Sequence, residues 1–315
     1  MVGKIFRGLL LLLVLALTGA ALVLVRFDLP HGDMVAKYGQ GASQFIDLPD
    51  GARAHYRDEG YEGGPTLVLI HGSTASLHTW EPWVKELGDT FRIVSVDLPG
   101  HGLTGAIPSS DYSRDAMVEF VRDLMSELQI ERFSIAGNSM GGGVALALAL
   151  DYPLRVEKLV LVSSAGLSRL GESDPPAAFR LAGTPIVRDL MAYVTPRFLI
   201  ADAVRKVIVD QNLVSDEMID RYHELLLHEG NREATMARFA ASANRTPLDD
   251  RLAELEMPAL ILWGDKDPLI PVSHAPRFEA GIADARAIVY ENTGHIAMEE
   301  VPARSAADVR AFLRE

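Results

Sequence analysis

The chain of 315 residues contains no cysteine. Disulfide staples, thiolate metal sites and a cysteine nucleophile are thereby excluded, while the redox state of the compartment stays open. Positive charge is also scarce: 30 lysines and arginines against 43 aspartates and glutamates leave a net charge of −13. Such a chain repels nucleic acid and anionic headgroups as bulk partners. No Gly-x-Gly-x-x-Gly follows the first predicted strand, so a dinucleotide cofactor has no seat. The two histidines nearest in sequence, His223 and His228, lack the i, i+4 spacing of a helical metal site. Neither a cofactor nor a metal is expected, and the chain shows no internal repeat or low-complexity tract.

Core material is abundant. Hydrophobic residues make up 48% and charged residues 23%, an ordinary globular balance for one large α/β domain or two average ones. One stretch organises the rest. From Arg132 the chain runs as a short apolar segment, passes through Gly137-Asn-Ser139-Met-Gly141, and continues as an Ala/Leu-rich helix to Asp151. A strand, a tight turn and a helix with serine at the apex form a G-x-S-x-G nucleophile elbow. The strained serine backbone brings the residues two before and two after it too close for side chains, which glycine at 137 and 141 permits.

The N-terminus carries its own signal. Gly8 to Val25 is free of charge and lies between Lys4/Arg7 and Arg26. Eighteen residues of helix reach ~27 Å, just the hydrocarbon core of a bilayer. A cleaved signal peptide with Thr18-Gly-Ala20 as its small-residue site is the rival reading. The apolar run continues five residues past Ala20, which favours an uncleaved signal-anchor. Lys4, Arg7 and the terminal amine place the N-terminus in the cytoplasm and the remaining chain outside.

Residues 28–42 read as a linker, with Pro30, Gly32, Gly39 and Gly41 interrupting any period. Asp50-Gly51 then joins two short alternating runs as a hairpin. From Thr66 strands and helices alternate, the mark of a mostly parallel sheet of about eight strands with helices on both faces. The helix over Ser113–Leu128 carries Met117, Phe120, Val121 and Leu124 at helical spacing. The alternation stops at residue 167. Helical patterns over 186–194, 198–209, 215–228 and 231–243 follow, with Ser215 and Asn231 as N-caps. Strands resume at Ala259–Trp263 and Arg286–Tyr290. The expected organisation is an anchor at 1–27, a linker at 28–42, an α/β core at 43–166 and 256–315, and a helical cap at 167–255.

Further chemical candidates lie beyond the carboxyl ends of strands, where such sheets place their sites. Gly264-Asp-Lys-Asp267 follows one late strand, and Asn292-Thr-Gly-His295 follows the last. With His71-Gly72, Asp97-Leu-Pro-Gly-His-Gly102, Gly137-Asn-Ser-Met-Gly-Gly142 and Trp263-Gly-Asp-Lys-Asp267, the chain resembles the α/β-hydrolases of the capped esterase, lipase and C–C hydrolase group. The resemblance covers residues 44–315, and the layout is similar to that of membrane-anchored monoacylglycerol lipases. The Gly-Asn-Ser-Met-Gly-Gly string is also similar to that of hydrolases cleaving ring-fission products.

The resemblance implies the roles. Ser139 is the nucleophile, His295 the base, and Asp267 the acid that holds the imidazole in its useful tautomer. The backbone N–H groups of Ser73 and Met140 form the oxyanion hole. Alternation does not choose between Asp265 and Asp267, since residues i and i+2 point the same way. The family pattern Trp-Gly-x-x-Asp, with proline four residues later at Pro271, selects Asp267. Asn138 packs or positions the strand end, and Asp97, His101 and His71 stabilise loops. His55, His78, His223, His228 and His274 are expected on the surface or in the cap. The activity implied is cleavage of a small-molecule carboxylic ester by a membrane-tethered enzyme. C–C hydrolysis of a diketone acid, with Arg180, Arg188 or Arg197 meeting its carboxylate, is the alternative. Thioester or perhydrolase chemistry and a non-catalytic receptor share the same motifs, and oligomeric state is not legible.

Overall fold

The computed structural model describes residues 2–168, 184, 193–242 and 246–315. Eight strands make one sheet: β1 (Ser43–Asp47), β2 (Arg53–Gly60), β3 (Thr66–Ile70), β4 (Arg92–Val96), β5 (Phe133–Asn138), β6 (Val156–Val162), β7 (Ala259–Gly264) and β8 (Ala285–Tyr290). Their lateral order is β1-β2-β4-β3-β5-β6-β7-β8. β2 runs antiparallel to β1 and β4, and every later pairing is parallel. β5 and β7 are buried along their whole length because helices cover both faces. This is the mostly parallel, eight-stranded sheet that the alternation predicts. From β3 the chain winds to one side through β4 and to the other through β5, so the strand order reverses between β3 and β5. Loops leaving those two carboxyl ends therefore flank a crevice, the usual seat of a site in an open α/β sheet.

Helix α1 (Val2–Leu24) opens the chain and α2 (His31–Tyr38) follows. The side chains at 2–5, 13, 16, 17 and 20–23 lie outside the described set. Among the described residues no helix is long and apolar enough to cross a membrane. Those α1 side chains that are described, such as Leu9, Leu11, Leu12 and Leu15, are exposed. The stretch read as a linker is in part a helix. Met34 of α2 packs with Leu103 and Leu225, and Lys37 pairs with Glu224 at 2.6 Å. Pro30 and Gly39 bound the helix, and Gly32 is accommodated within its first turn. Pro30 precedes the first turn, and the Gly39 N–H donates to the Val35 carbonyl at 2.9 Å past the last.

The core helices are α3 (Glu81–Leu87), α4 (Arg114–Glu127) and α5 (Met140–Asp151). Ser113 caps α4 by accepting the Ala116 N–H at 3.2 Å, and Met117, Phe120, Val121 and Leu124 form its buried stripe. α5 is buried from Met140 to Leu150, directly behind the elbow. The described part of the inserted segment contributes α6 (Arg197–Val207), α7 (Asp216–Leu227) and α8 (Asn231–Ser242). Ser215 caps α7 as predicted, accepting from Met218 N–H at 3.1 Å. Asn231 does not cap: its amide donates to the carbonyls of Gly102 (3.0 Å) and Leu225 (2.8 Å). The pattern over 186–194 falls mostly on residues outside those described, as do Arg180 and Arg188. The chain closes with α9 (Ala275–Gly281), α10 (Ala297–Glu300) and α11 (Pro302–Arg314).

Segment 25–29 lies along the cap. Arg26 N–H donates to the Tyr193 carbonyl (2.9 Å), Leu29 N–H to Leu227 (2.7 Å), and Glu229 N–H to Leu29 (3.1 Å). Asp28 pairs with the buried Arg232 at 2.5 Å. Of the histidines expected on the surface or in the cap, His223 and His228 lie in the cap and His55, His78 and His274 in the core, and all five are buried. Each has a ring nitrogen bonded to a buried or part-buried partner, such as the Thr195 carbonyl for His223 and the Gly102 carbonyl for His228.

Candidate active site

β5 ends at Asn138, and Ser139 then takes φ 52° and ψ −118°, a conformation that a side-chain-bearing residue holds only where its surroundings enforce it. A Cβ at Gly137 would run into the Gly141 carbonyl, and one at Gly141 into the carbonyls of Ile70 and His71. These two positions therefore require glycine. The Ser139 N–H donates to the Val162 carbonyl at 3.0 Å, anchoring the turn to the end of β6. Asn138, buried below, donates from Nδ2 to the carbonyls of Val162 and His295, both at 3.1 Å. It ties the serine turn to the histidine loop, a positioning role.

His295 lies on the loop after β8, and its Nδ1 faces Asp267 Oδ2 at 2.7 Å. The other carboxylate oxygen of Asp267 accepts the N–H groups of Leu269 (2.8 Å) and Ile270 (3.1 Å), which holds the acid in place. With Nδ1 donating to the carboxylate, a neutral imidazole carries its lone pair on Nε2. That nitrogen is buried and takes no hydrogen bond from a described residue. Asp265 sits apart, with Lys266 Nζ at 3.0 Å and the Thr293 N–H at 3.3 Å. Ser139 and His295 line one cavity together with Gly72, Ser73 and Asn138. The N–H groups of Ser73 and Met140 donate to no described residue. Ser73 lies on the loop after β3 and Met140 opens α5 just past the turn after β5, on the two sides of the switch point. The cavity's remaining wall comes largely from the cap and is mainly aliphatic or aromatic, with Leu199, Ile200, Val204, Leu226, Met236 and Phe239, while Thr195, Thr235 and Arg232 add polar groups to it.

Loops around the site rest on buried polar groups. Asp97 accepts His55 Nδ1 (2.6 Å), Leu77 N–H (2.7 Å) and Leu103 N–H (2.8 Å). Burial alone would raise its carboxyl, but the His55 hydrogen bond and the neighbouring histidines outweigh that and hold it below the carboxylate range. His71 donates from Nδ1 to the Gly72 carbonyl (2.7 Å) and accepts the Leu98 N–H on Nε2 (3.0 Å). Burial depresses it further, so it stays a neutral bracket for the loop carrying Ser73.

Several residues that the motifs did not reveal also shape the site. Glu300 accepts the N–H groups of Gly294 (2.7 Å), Val209 (2.8 Å) and Asp210 (3.0 Å), joining the histidine loop to the end of α6. Glu299 accepts Tyr222 Oη and Arg221 Nη2, each at 2.7 Å, and also the Thr79 hydroxyl. Burial and the Glu299 charge push the Tyr222 phenol far up, so it remains a donor. Two arginines of α8 point to the same region: Arg232 lines the cavity, and Arg238 donates to Ser73 Oγ at 2.5 Å. Arg197, a candidate for a substrate carboxylate, is instead held by Asp216 (2.8 Å) and Asp220 (2.5 Å). The glutamate pair shortly after His295 was visible in the sequence, but apart from the nearby Gly294 N–H its partners are more than seventy residues away.

The family of the alpha/beta hydrolase fold matches residues 65–302. This chain is an α/β-hydrolase. Among curated proteins it is 30% identical over 276 residues to a 2-hydroxymuconate semialdehyde hydrolase of Pseudomonas sp. strain CF600, covering 84% of this chain and 92% of that one. Among solved structures, a membrane phospholipase A described as a bacterial virulence factor aligns over 99% of this chain and 98% of its own. Its identity is 26% and its TM-score 0.75. A meta-cleavage product hydrolase from Pseudomonas fluorescens IP01 aligns over 86% of this chain and 97% of its own, with 26% identity and a TM-score of 0.73. The hydrolase thus has relatives that act on esters and relatives that cleave C–C bonds.

Proposed function

We propose that this α/β-hydrolase is a membrane-tethered serine hydrolase of carboxylic esters. Ser139 Oγ attacks the ester carbonyl while His295 Nε2 takes its proton, and Asp267 steadies the imidazolium that forms. The tetrahedral oxyanion lies between the N–H groups of Ser73 and Met140. His295 then gives its proton to the departing alcohol. A water deprotonated by the same histidine releases the acid and restores Ser139.

The observation that carries the ester reading is the apolar cap wall beside Ser139. Each methylene of an acyl chain buried there contributes ~0.8 kcal/mol. The 30% identity to a 2-hydroxymuconate semialdehyde hydrolase supports a second reading, cleavage of a C–C bond in a diketone acid. That substrate's carboxylate needs a cation, and Arg232, the arginine lining the cavity, already meets Asp28. Tethering is supported by the charge-free run at 8–25, by the 23 residues of α1 with exposed leucines, and by the full-length match to a membrane phospholipase A. Lys4 and Arg7 before that run put the catalytic domain outside the cytoplasm.

The test is active-site labelling followed by substrate profiling. A fluorophosphonate should add once, at Ser139, and Ser139→Ala should abolish both labelling and turnover. Profiling should span acyl chain lengths and include monoacylglycerols and a ring-fission diketone. Labelling elsewhere with activity kept in the mutant removes the nucleophile, and turnover of the diketone alone transfers the enzyme to C–C hydrolysis.

A further inference from the structure

The cap reaches the proposed oxyanion hole through one side chain. Arg238 lies on α8, the same helix that sends Thr235, Met236 and Phe239 into the cavity wall. It is buried, 8% exposed, and its Nη2 donates to Ser73 Oγ at 2.5 Å. Its guanidinium also lies over the Phe239 ring, 4.5 Å from the centroid. Ser73 belongs to a loop that needs support. The next residue, Thr74, has φ 60°, and its hydroxyl bonds to the Ser73 carbonyl at 2.6 Å. From below, the loop is held by His71 on Leu98 and Gly72. From above, the bond described for the Ser73 side chain is that from Arg238.

We propose that Arg238 is a positioning residue for the oxyanion hole, fixing the Ser73 N–H from the cap and adding a buried positive charge beside the developing oxyanion. The inference rests on the serine-hydrolase reading and extends it: the cap is then part of the catalytic apparatus and not only the wall of a binding cavity. Two physical effects combine. A donor aimed in advance at the place where charge develops stabilises the transition state without reorganisation. A fixed cation in a site shielded from water acts over several ångströms with little screening. The charge of Arg238 is felt locally, since it adds to burial in depressing both His71 and His101.

Arg238→Met removes the hydrogen bond and the charge while keeping bulk over Phe239, and Ser73→Ala removes the acceptor while keeping the backbone N–H. Each should lower kcat for a p-nitrophenyl ester about tenfold to a hundredfold, with KM changed less than twofold, since losing an oxyanion donor outright costs 10²–10³. Affinity for a boronic acid that forms the tetrahedral adduct should fall in parallel, while a non-hydrolysable ketone analogue of the ester ground state binds as before. Arg238→Lys should recover part of kcat. The double variant should be no worse than threefold below the poorer single one, because both disrupt one contact. If Arg238→Met does not fold, Ser73→Ala carries the same expectation with the cap intact.

A kcat within twofold of wild type in the folded variants, or a loss confined to KM, overturns the proposal and leaves the serine-hydrolase reading standing. A wild-type protein that takes no fluorophosphonate and cleaves no ester overturns that reading and this inference together.

Discussion

Asp265 and Asp267 stand two residues apart after the same strand, yet their surroundings differ. Asp267 faces His295 at 2.7 Å and accepts two further N–H groups, whereas Asp265 is partly exposed and paired with Lys266. Asp267→Asn should keep the fold but favour the wrong imidazole tautomer, lowering turnover roughly 10²- to 10⁴-fold. Asp265→Asn should cost less than about tenfold, since a solvated turn carboxylate stabilises no transition-state charge. The measurement is kcat on one ester for both purified mutants, after circular dichroism shows each folded. The reverse ranking would assign the acid to Asp265.

At the scale of elements, the segment just before α2 is bonded to the cap. From the sequence the catalytic unit begins near Gln44, so that loss of residues 1 to about 30 leaves an active hydrolase. In the fold, segment 25–29 bonds to the cap at Tyr193, Leu227 and Glu229, and Asp28 meets the buried Arg232. Removal of residues 1–24 should therefore give a soluble, active enzyme. Removal of 1–30 should leave Arg232 without its acid and lower both Tm and turnover. Asp28→Asn isolates the charge, and its cost should be roughly 1 kcal/mol or more, a few degrees in Tm. Equal Tm and kcat for the two truncations would show that the segment contributes nothing. The intact chain should stay in the membrane pellet under high-salt washing, because salt screens charge and not apolar burial. Its release by salt alone would count against an anchor.

For the molecule as a whole, the buried histidines set the response to acid. Burial lowers His71, His78, His101, His223, His228 and His274, and His78 drops from an ordinary 6.5 to about 4. A histidine whose folded pKa lies below its unfolded value binds more protons in the unfolded chain between the two. Stability is then fully present above about pH 6.5 and falls as pH approaches 4. Thermal unfolding should move to lower temperature between pH 7 and pH 5, and His78→Gln should flatten that slope. A Tm constant over this range would mean that these rings stay solvated.

Local order determined much of this protein. The elbow at Ser139, the strand-helix alternation, the apolar period of α4 and the Ser215 cap of α7 all depend on residues within a few turns of one another. Their glycines, cap and apolar periods therefore stand legibly in the chain, whereas the cap read at Asn231 gave way to its bonds with Gly102 and Leu225. The candidate loops after β7 and β8 were legible too, because parallel sheets gather the ends of distant strands at one edge. What only the tertiary structure decided are long-range polar pairs. Asp28 with Arg232 and Arg238 with Ser73 join residues 204 and 165 positions apart, while Glu300 gathers N–H groups from two loops. Sequence periodicity records which face of an element is apolar, but not which buried charge from another element will meet it. The same reason explains the histidines. An imidazole reads as a surface group until the fold supplies a carbonyl or carboxylate for its ring nitrogens, and burial then becomes favourable.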